Sequence, residues 1–127
     1  MVESWAFVDG DGDGAALAPD EAVAELRRRI AGGAFESWLV GSSGRLLAVV
    51  TNAERAMVML LDGEGDPGEH ATDPGAEGRS DGFVLANGES DEYPDEDTVP
   101  LDEALRIVRH ILATGRPPVD ASWTVDR

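Results

Sequence analysis

The 127-residue sequence contains no cysteine, which excludes disulfide bonds, thiolate catalysis and cysteine-based zinc sites. It also lacks any apolar run approaching the roughly 20 residues that a membrane-spanning helix needs. The start, MVESW, has neither the basic nor the apolar region of a secretion signal. Together these absences predict a soluble, cytoplasmic protein.

Positive charge is scarce as well. Ten basic residues face 26 acidic ones, which gives a formal net charge of −16 at pH 7. Residues 62–97 hold 13 of the acids and a single arginine, so this stretch alone carries a charge of −12. Such a surface repels nucleic acid and anionic membranes, and we expect the protein to bind neither. It would attract a basic partner and speed association; the alternative is that the acids only keep a small protein soluble.

What is present fits one α+β domain spanning residues 1–127. Apolar spacing predicts a helix over Pro19–Ala31, which Gly32-Gly33 would end. Alternating or apolar runs separated by turn residues predict strands at Val2–Val8, Phe35–Val40, Leu46–Thr51, Ala56–Leu61, Gly82–Ala86 and Glu89–Tyr93. We expect a mainly antiparallel sheet with two helices packed on one face.

The last thirty residues contain the densest set of helix-start, helix-end and strand signals in the chain. An apolar stripe begins at Leu101 and recurs at three- and four-residue intervals to Leu112, which predicts a second helix. Pro100 suits its first position, and Gly115 suits the left-handed residue that follows its last turn. A short strand around Trp123 should come next, because polar and apolar residues alternate there.

Between the two halves lies an acidic region of a different character. Residues 62–80 consist largely of Gly, Asp, Glu and Pro, and we expect them to form a mobile acidic loop. Asn87-Gly88 is a strong hairpin-turn signal. The arm that returns from this turn carries six acids between Glu89 and Asp97, so it should form an acidic edge strand.

The carboxy-terminal motifs also support a family resemblance. They are Tyr93-Pro94, Val99-Pro100 followed by Glu103-Ala104, the amphipathic helix, Thr114-Gly115 with Pro118, and Trp123 in a terminal strand. This order resembles the first-described immunity protein family of bacterial polymorphic toxin systems, most strongly over residues 89–125. The resemblance implies a cytoplasmic antitoxin, not an enzyme, that binds and blocks a cognate toxin, often a nuclease or a nucleic-acid deaminase.

If the protein binds a partner, we expect the contact to involve the returning arm of the hairpin and the residues that follow it. The candidate contact residues are Glu89, Asp91, Glu92, Tyr93, Asp95, Glu96 and Asp97. Acids give speed and orientation, and an aromatic anchor such as Tyr93 would add affinity. We expect the three tryptophans, Trp5, Trp38 and Trp123, to pack in the core or on the sheet, although one of them could instead anchor the interface.

The alternative is a ligand-binding accessory protein, and one motif supports it. Asp9, Asp11, Asp13 and Asp20 have the spacing of a calcium-binding loop, although a strand precedes them and Pro19 lies inside the loop. We expect a free acidic turn there and no cofactor. His70 and His110 should both be solvated, since two distant histidines form neither a zinc site nor a catalytic triad.

Overall fold

A computed structural model describes residues 3–8 and 16–127. Within these residues the chain forms two α-helices, α1 (Pro19–Ala31) and α2 (Leu101–Thr114), and a three-residue 3-10 turn, Asp95–Asp97. Nine strands complete it: β1 (Trp5–Phe7), β2 (Glu36–Gly41), β3 (Leu46–Thr51), β4 (Arg55–Leu61), β5 (Glu69–Ala71), β6 (Arg79–Val84), β7 (Ser90–Pro94), β8 (Val99–Pro100) and β9 (Trp123–Val125).

Seven of the described strands form one antiparallel sheet. Its order is β1-β2-β3-β4-β5-β9, and β8 pairs with the start of β4 beside this path. The remaining two strands, β6 and β7, form a separate two-stranded sheet. The predicted α+β class is therefore confirmed, with the hairpin as its own layer.

Local signals explain where α1 begins and where α2 ends. Pro19 occupies the first turn of α1, and the Glu21 carboxylate accepts a hydrogen bond of 3.0 Å from the Ala18 backbone N–H. Gly115 follows α2 with a φ of 80°, and its N–H donates to the Ile111 carbonyl at 2.7 Å. This left-handed ending is the one that the sequence predicts.

Both helices pack on the same face of the sheet, as predicted. This inner face carries Leu39, Leu47 and Val58, each at most 1% exposed. They share one apolar cluster with Leu26 of α1 and Ile111 of α2. Trp5 belongs to this cluster and Trp123 packs against its edge, so both have the packing role expected of them.

The opposite side of the sheet, here called the outer face, is partly covered by the β6–β7 hairpin. Phe83 of β6 is fully buried, and it lies on the strand that packs over β3. Residues that face one another across antiparallel strands point to the same side. The outer face therefore includes the row Glu36, Val50 and Met57 and the row Val40, Leu46 and Leu61.

Two strands were not predicted. β5 lies inside the 62–80 segment, where the sequence indicated only loop, and it pairs with β4 and β9. β8 is two residues long and pairs with Arg55 and Ala56. Neither is long enough to show alternation, and partners distant in sequence stabilise both. β1 is also shorter than predicted within the described residues.

Among the described residues, neither helix has the length and apolar character needed to cross a membrane.

The explanation for where α2 ends can be tested by adding one methyl group at Gly115. Gly115→Ala should lower the free energy of unfolding by about 1 kcal/mol, because an L-residue is strained at a φ of 80°. Gly63→Ala is the matched control, since a Cβ there meets no atom within 4 Å and no positive φ is involved. Urea unfolding should separate the two variants; equal stabilities would contradict the conformational explanation.

Candidate partner-binding surface

The acidic hairpin, defined as residues 79–94, closes through the predicted Asn87-Gly88 turn. The Leu85 N–H donates to the Glu89 carbonyl at 2.8 Å, and Gly88 adopts a φ of 88°. The Asn87 side chain accepts the Glu89 N–H at 2.9 Å. These local bonds define the tip and leave Glu89, Asp91 and Glu92 exposed to solvent.

Three contacts attach the hairpin to the outer face. The Asn52 side-chain amide donates to the Asp81 carbonyl at 2.9 Å, and the Ala86 N–H donates to a Glu36 carboxylate oxygen at 3.0 Å. Between these points, Phe83 is fully buried. The exposed acids therefore stand on a support that is fixed at several positions.

Tyr93 is part of that support. Its ring meets the Phe83 ring edge to face, with centroids 5.0 Å apart and an interplanar angle of 78°. Burial raises the pKa of the Tyr93 hydroxyl, and the nearby charges of Asp91 and Glu36 raise it further. The phenol is therefore neutral at physiological pH and about half-buried beside the acids.

Of the predicted contact residues, Asp95 is engaged within the protein. The Arg55 guanidinium donates to the Asp95 carbonyl at 3.1 Å and to the Asp73 carboxylate at 2.6 Å. It also donates to the Thr98 hydroxyl at 2.7 Å, and Thr98 is fully buried. The Asp95 carboxylate accepts a hydrogen bond from Ser80. Arg55 thus joins β4, the 62–80 segment and the turn that precedes α2.

Asp97 is likewise engaged, and its partner is His70. The His70 Nε2 lies 3.1 Å from an Asp97 oxygen, and its Nδ1 lies 2.7 Å from an Asp126 oxygen. The His70 side chain is only 17% exposed, so the prediction that it is solvated was wrong. The reason is the unpredicted strand β5, which places the ring between the two carboxylates.

The charge state of His70 follows from this arrangement. Burial lowers its pKa, but the hydrogen bonds to Asp126 and Asp97 outweigh burial and raise the pKa above its ordinary value. Only the imidazolium can donate from both ring nitrogens at once. Protonation therefore strengthens the connection between β5, the 95–97 turn and the chain after β9.

The predicted calcium loop lies largely outside the described residues, because Asp9, Asp11 and Asp13 all belong to 9–15. Asp20 lies in the first turn of α1, and its carboxylate accepts a hydrogen bond from Arg109 of α2. That bond and the charge of Arg109 lower the pKa of Asp20. Among the described residues, no group of three or more potential ligands could hold a metal ion. The free acidic turn expected at this loop stays a prediction, and calcium binding stays the alternative.

The acids that remain exposed to solvent are therefore a subset of the predicted contact residues. Glu89, Asp91, Glu92 and Glu96 are exposed, whereas Asp95 and Asp97 bind other parts of the chain. Arg79 is the one arginine of this region, and it lies 3.5 Å from Glu92 with both side chains more than half exposed. Sequence patterns gave no sign of the Arg55 and His70 contacts, since their partners lie up to 56 residues away.

A small α+β domain with an acidic hairpin fixed over its sheet is the class of protein that this geometry defines. The family model described as immunity protein Imm1 matches residues 7–125, and the chain belongs to that family. The match extends the resemblance from the carboxy-terminal motifs to nearly the whole chain. A search of curated proteins found no match.

The Arg55 contacts can be tested by removing the charge. Arg55→Gln should lower the free energy of unfolding by roughly 2–3 kcal/mol, because hydrogen bonds to charged groups are lost and two carboxylates lose their cation. Arg106→Gln is the control: its pairs with Glu103 and Asp120 are exposed, so it should cost less than about 1 kcal/mol. Similar losses in urea unfolding would contradict a special role for Arg55.

His70 should make stability depend on pH. Because its folded pKa is raised, its contribution is complete below the unfolded value of about 6.5 and is lost as pH rises through the folded pKa. His70→Gln should therefore destabilise the protein more at about pH 5.5 than at about pH 8.5. Thermal unfolding at both pH values would measure this. The control is His110→Gln, for which no ion pair is found among the described residues; a pH-independent effect of His70→Gln would refute the assignment.

Proposed function

We propose that this member of the immunity protein family is a cytoplasmic antitoxin that binds and neutralises a cognate toxin domain. We further propose that the toxin domain is basic and acts on nucleic acid, because a surface built to bind nucleic acid is cationic and complements an acidic one. Neither catalysis nor a cofactor belongs to the proposal, since inhibition by binding needs neither.

The observation that carries the proposal is the presentation of exposed acids on a fixed support. Glu89, Asp91 and Glu92 are exposed on a hairpin that Asp81, Phe83 and Ala86 attach to the sheet. A rigid support matters because a partner then need not order the acids when it binds, which would cost conformational entropy. Glu96 in the adjacent turn extends the same charged surface.

The acids of the 62–80 segment are less suited to this role. Arg127 lies 3.3 Å from Asp62, 2.8 Å from Asp66 and 2.6 Å from Glu69. Asp73 is already bound by Arg55. These carboxylates are partly neutralised by the protein itself, which supports placing the partner-binding surface on the hairpin. The mobility of this segment stays a prediction.

The test takes as the binding partner the toxin domain that we expect to be encoded beside this gene, at the carboxy-terminal end of a large modular protein. Neutralising the hairpin with Glu89→Gln, Asp91→Asn and Glu92→Gln together should slow association by roughly tenfold or more at low salt. It should also weaken the dependence of the association rate on ionic strength, because fewer charges steer the encounter. Stopped-flow or surface-based kinetics would measure both.

A matched control carries the same change in net charge on the helix side. Glu54→Gln, Asp102→Asn and Asp120→Asn remove three exposed acids around the start and end of α2. This set should leave association nearly unchanged. If both sets slow association equally, net charge and not the hairpin directs binding. If the wild-type protein does not bind the toxin domain, the proposed function is wrong.

A further inference from the structure

The outer face of the sheet is covered unequally. Val50 lies in the row next to the hairpin and is 5% exposed, whereas Val40 lies in the row at the other end of the same strands and is 36% exposed. Val8, which follows β1 and donates its N–H to the Trp38 carbonyl at 2.8 Å, is 52% exposed. The hairpin thus leaves a group of apolar side chains in contact with water.

The open end of this face holds a recess of about 400 Å³, and Val40 is the cross-strand partner of Leu46 in its lining. Its lining consists of Val8, Trp38, Leu46, Leu61, Glu64 and Gly65. All but one of the six are uncharged, on a protein whose formal net charge is −16. An exposed apolar patch with a polar rim is typical of an interaction site.

Trp38 is held in place at the boundary between the covered and open halves. Its indole N–H donates to one Glu36 carboxylate oxygen at 2.8 Å, and the other oxygen accepts the Ala86 N–H at 3.0 Å. One carboxylate therefore fixes both the indole and the tip of the acidic hairpin. A side chain already ordered loses little entropy on binding, which suits a contact residue at the centre of an interface.

Charge indicates what kind of partner the recess would accept. Glu64 lies in its lining, and the acidic hairpin stands on the same face of the sheet. A second depression of about 450 Å³, between the two helices, is lined by Arg27 together with Ile30 and Leu101. A cationic partner is favoured at the first depression and repelled by the arginine at the second. A second copy of this chain would bring two acidic surfaces together, which charge opposes.

We propose that the recess between Val8, Trp38, Leu46 and Leu61 receives an apolar side chain that projects from the basic surface of the cognate toxin domain. The hairpin acids then direct the encounter, and the recess slows dissociation. This inference rests on the proposed function and adds the source of affinity. It gives Trp38 the interface role that the sequence left open, while Tyr93 supports the hairpin.

The experiment compares polar substitutions on exposed valines, with the same toxin domain as the probe. Val8→Gln combined with Val40→Gln should accelerate dissociation at least tenfold and leave the association rate nearly unchanged. Val119→Gln is the matched control, because Val119 is fully exposed beyond the end of α2. If the glutamine pair unfolds the protein, Val8→Thr with Val40→Thr keeps the side-chain shape and should show the same direction of change.

The outcomes separate this inference from the proposed function. Suppose that the wild-type protein binds and that the hairpin set slows association, but that the valine pair leaves dissociation unchanged. The recess is then not the source of affinity, although the proposed function stands. If the wild-type protein does not bind the toxin domain, both fail. If light scattering finds a dimer that the valine pair converts to a monomer, a second copy occupies the recess and the inference is overturned.

Discussion

The guanidinium of Arg55 joins β4 to two acidic parts of the chain that would otherwise repel each other. It lies between the carboxylates of Asp73 and Asp95 and also binds the buried Thr98. The 62–97 stretch has a charge of −12, so bringing its acids together requires a cation between them. Because the hairpin starts after Asp73 and ends before Asp95, this contact also fixes both of its ends to β4.

The acids consequently fall into two groups with different roles. One group is paired within the protein, by Arg55, Arg127 and His70, and holds the irregular segments against the sheet. The other group points outward from the hairpin and the turn after it, where Arg79 lies 3.5 Å from Glu92. A pair as exposed as Arg79 and Glu92 contributes little to stability. The outward acids are therefore available to a partner without loss of the fold.

Regular elements could be predicted from local sequence because local residues determine them. The bounds of α1 and β3 agree with those expected from apolar spacing, and Gly115 ends the second helix as expected. Strands β5 and β8 could not be predicted in this way, since three or two residues show no periodicity and distant strands stabilise them. The family resemblance rested on residues 89–125, and the family match covers 7–125.

The acids of the candidate surface can be located from the sequence, but their contacts within the fold cannot. The density of acids along the chain shows where they lie, but no local pattern shows that Arg55 binds Asp95 and that His70 contacts Asp97, because both partners lie far away in sequence. The contacts of Trp38 could not be predicted from local sequence either. Its alternating strand predicts a half-buried ring, yet only the folded chain places Glu36 and the hairpin tip beside it.

Hydrogen exchange of the protein alone and in complex with its toxin domain tests the central claim most directly, namely that the outer face and its hairpin form the binding surface. Amide protection should rise in the hairpin and in β2, near Trp38 and Val40, while α1 and α2 exchange as before. Protection confined to the two helices, with the hairpin and β2 unchanged, would contradict the account.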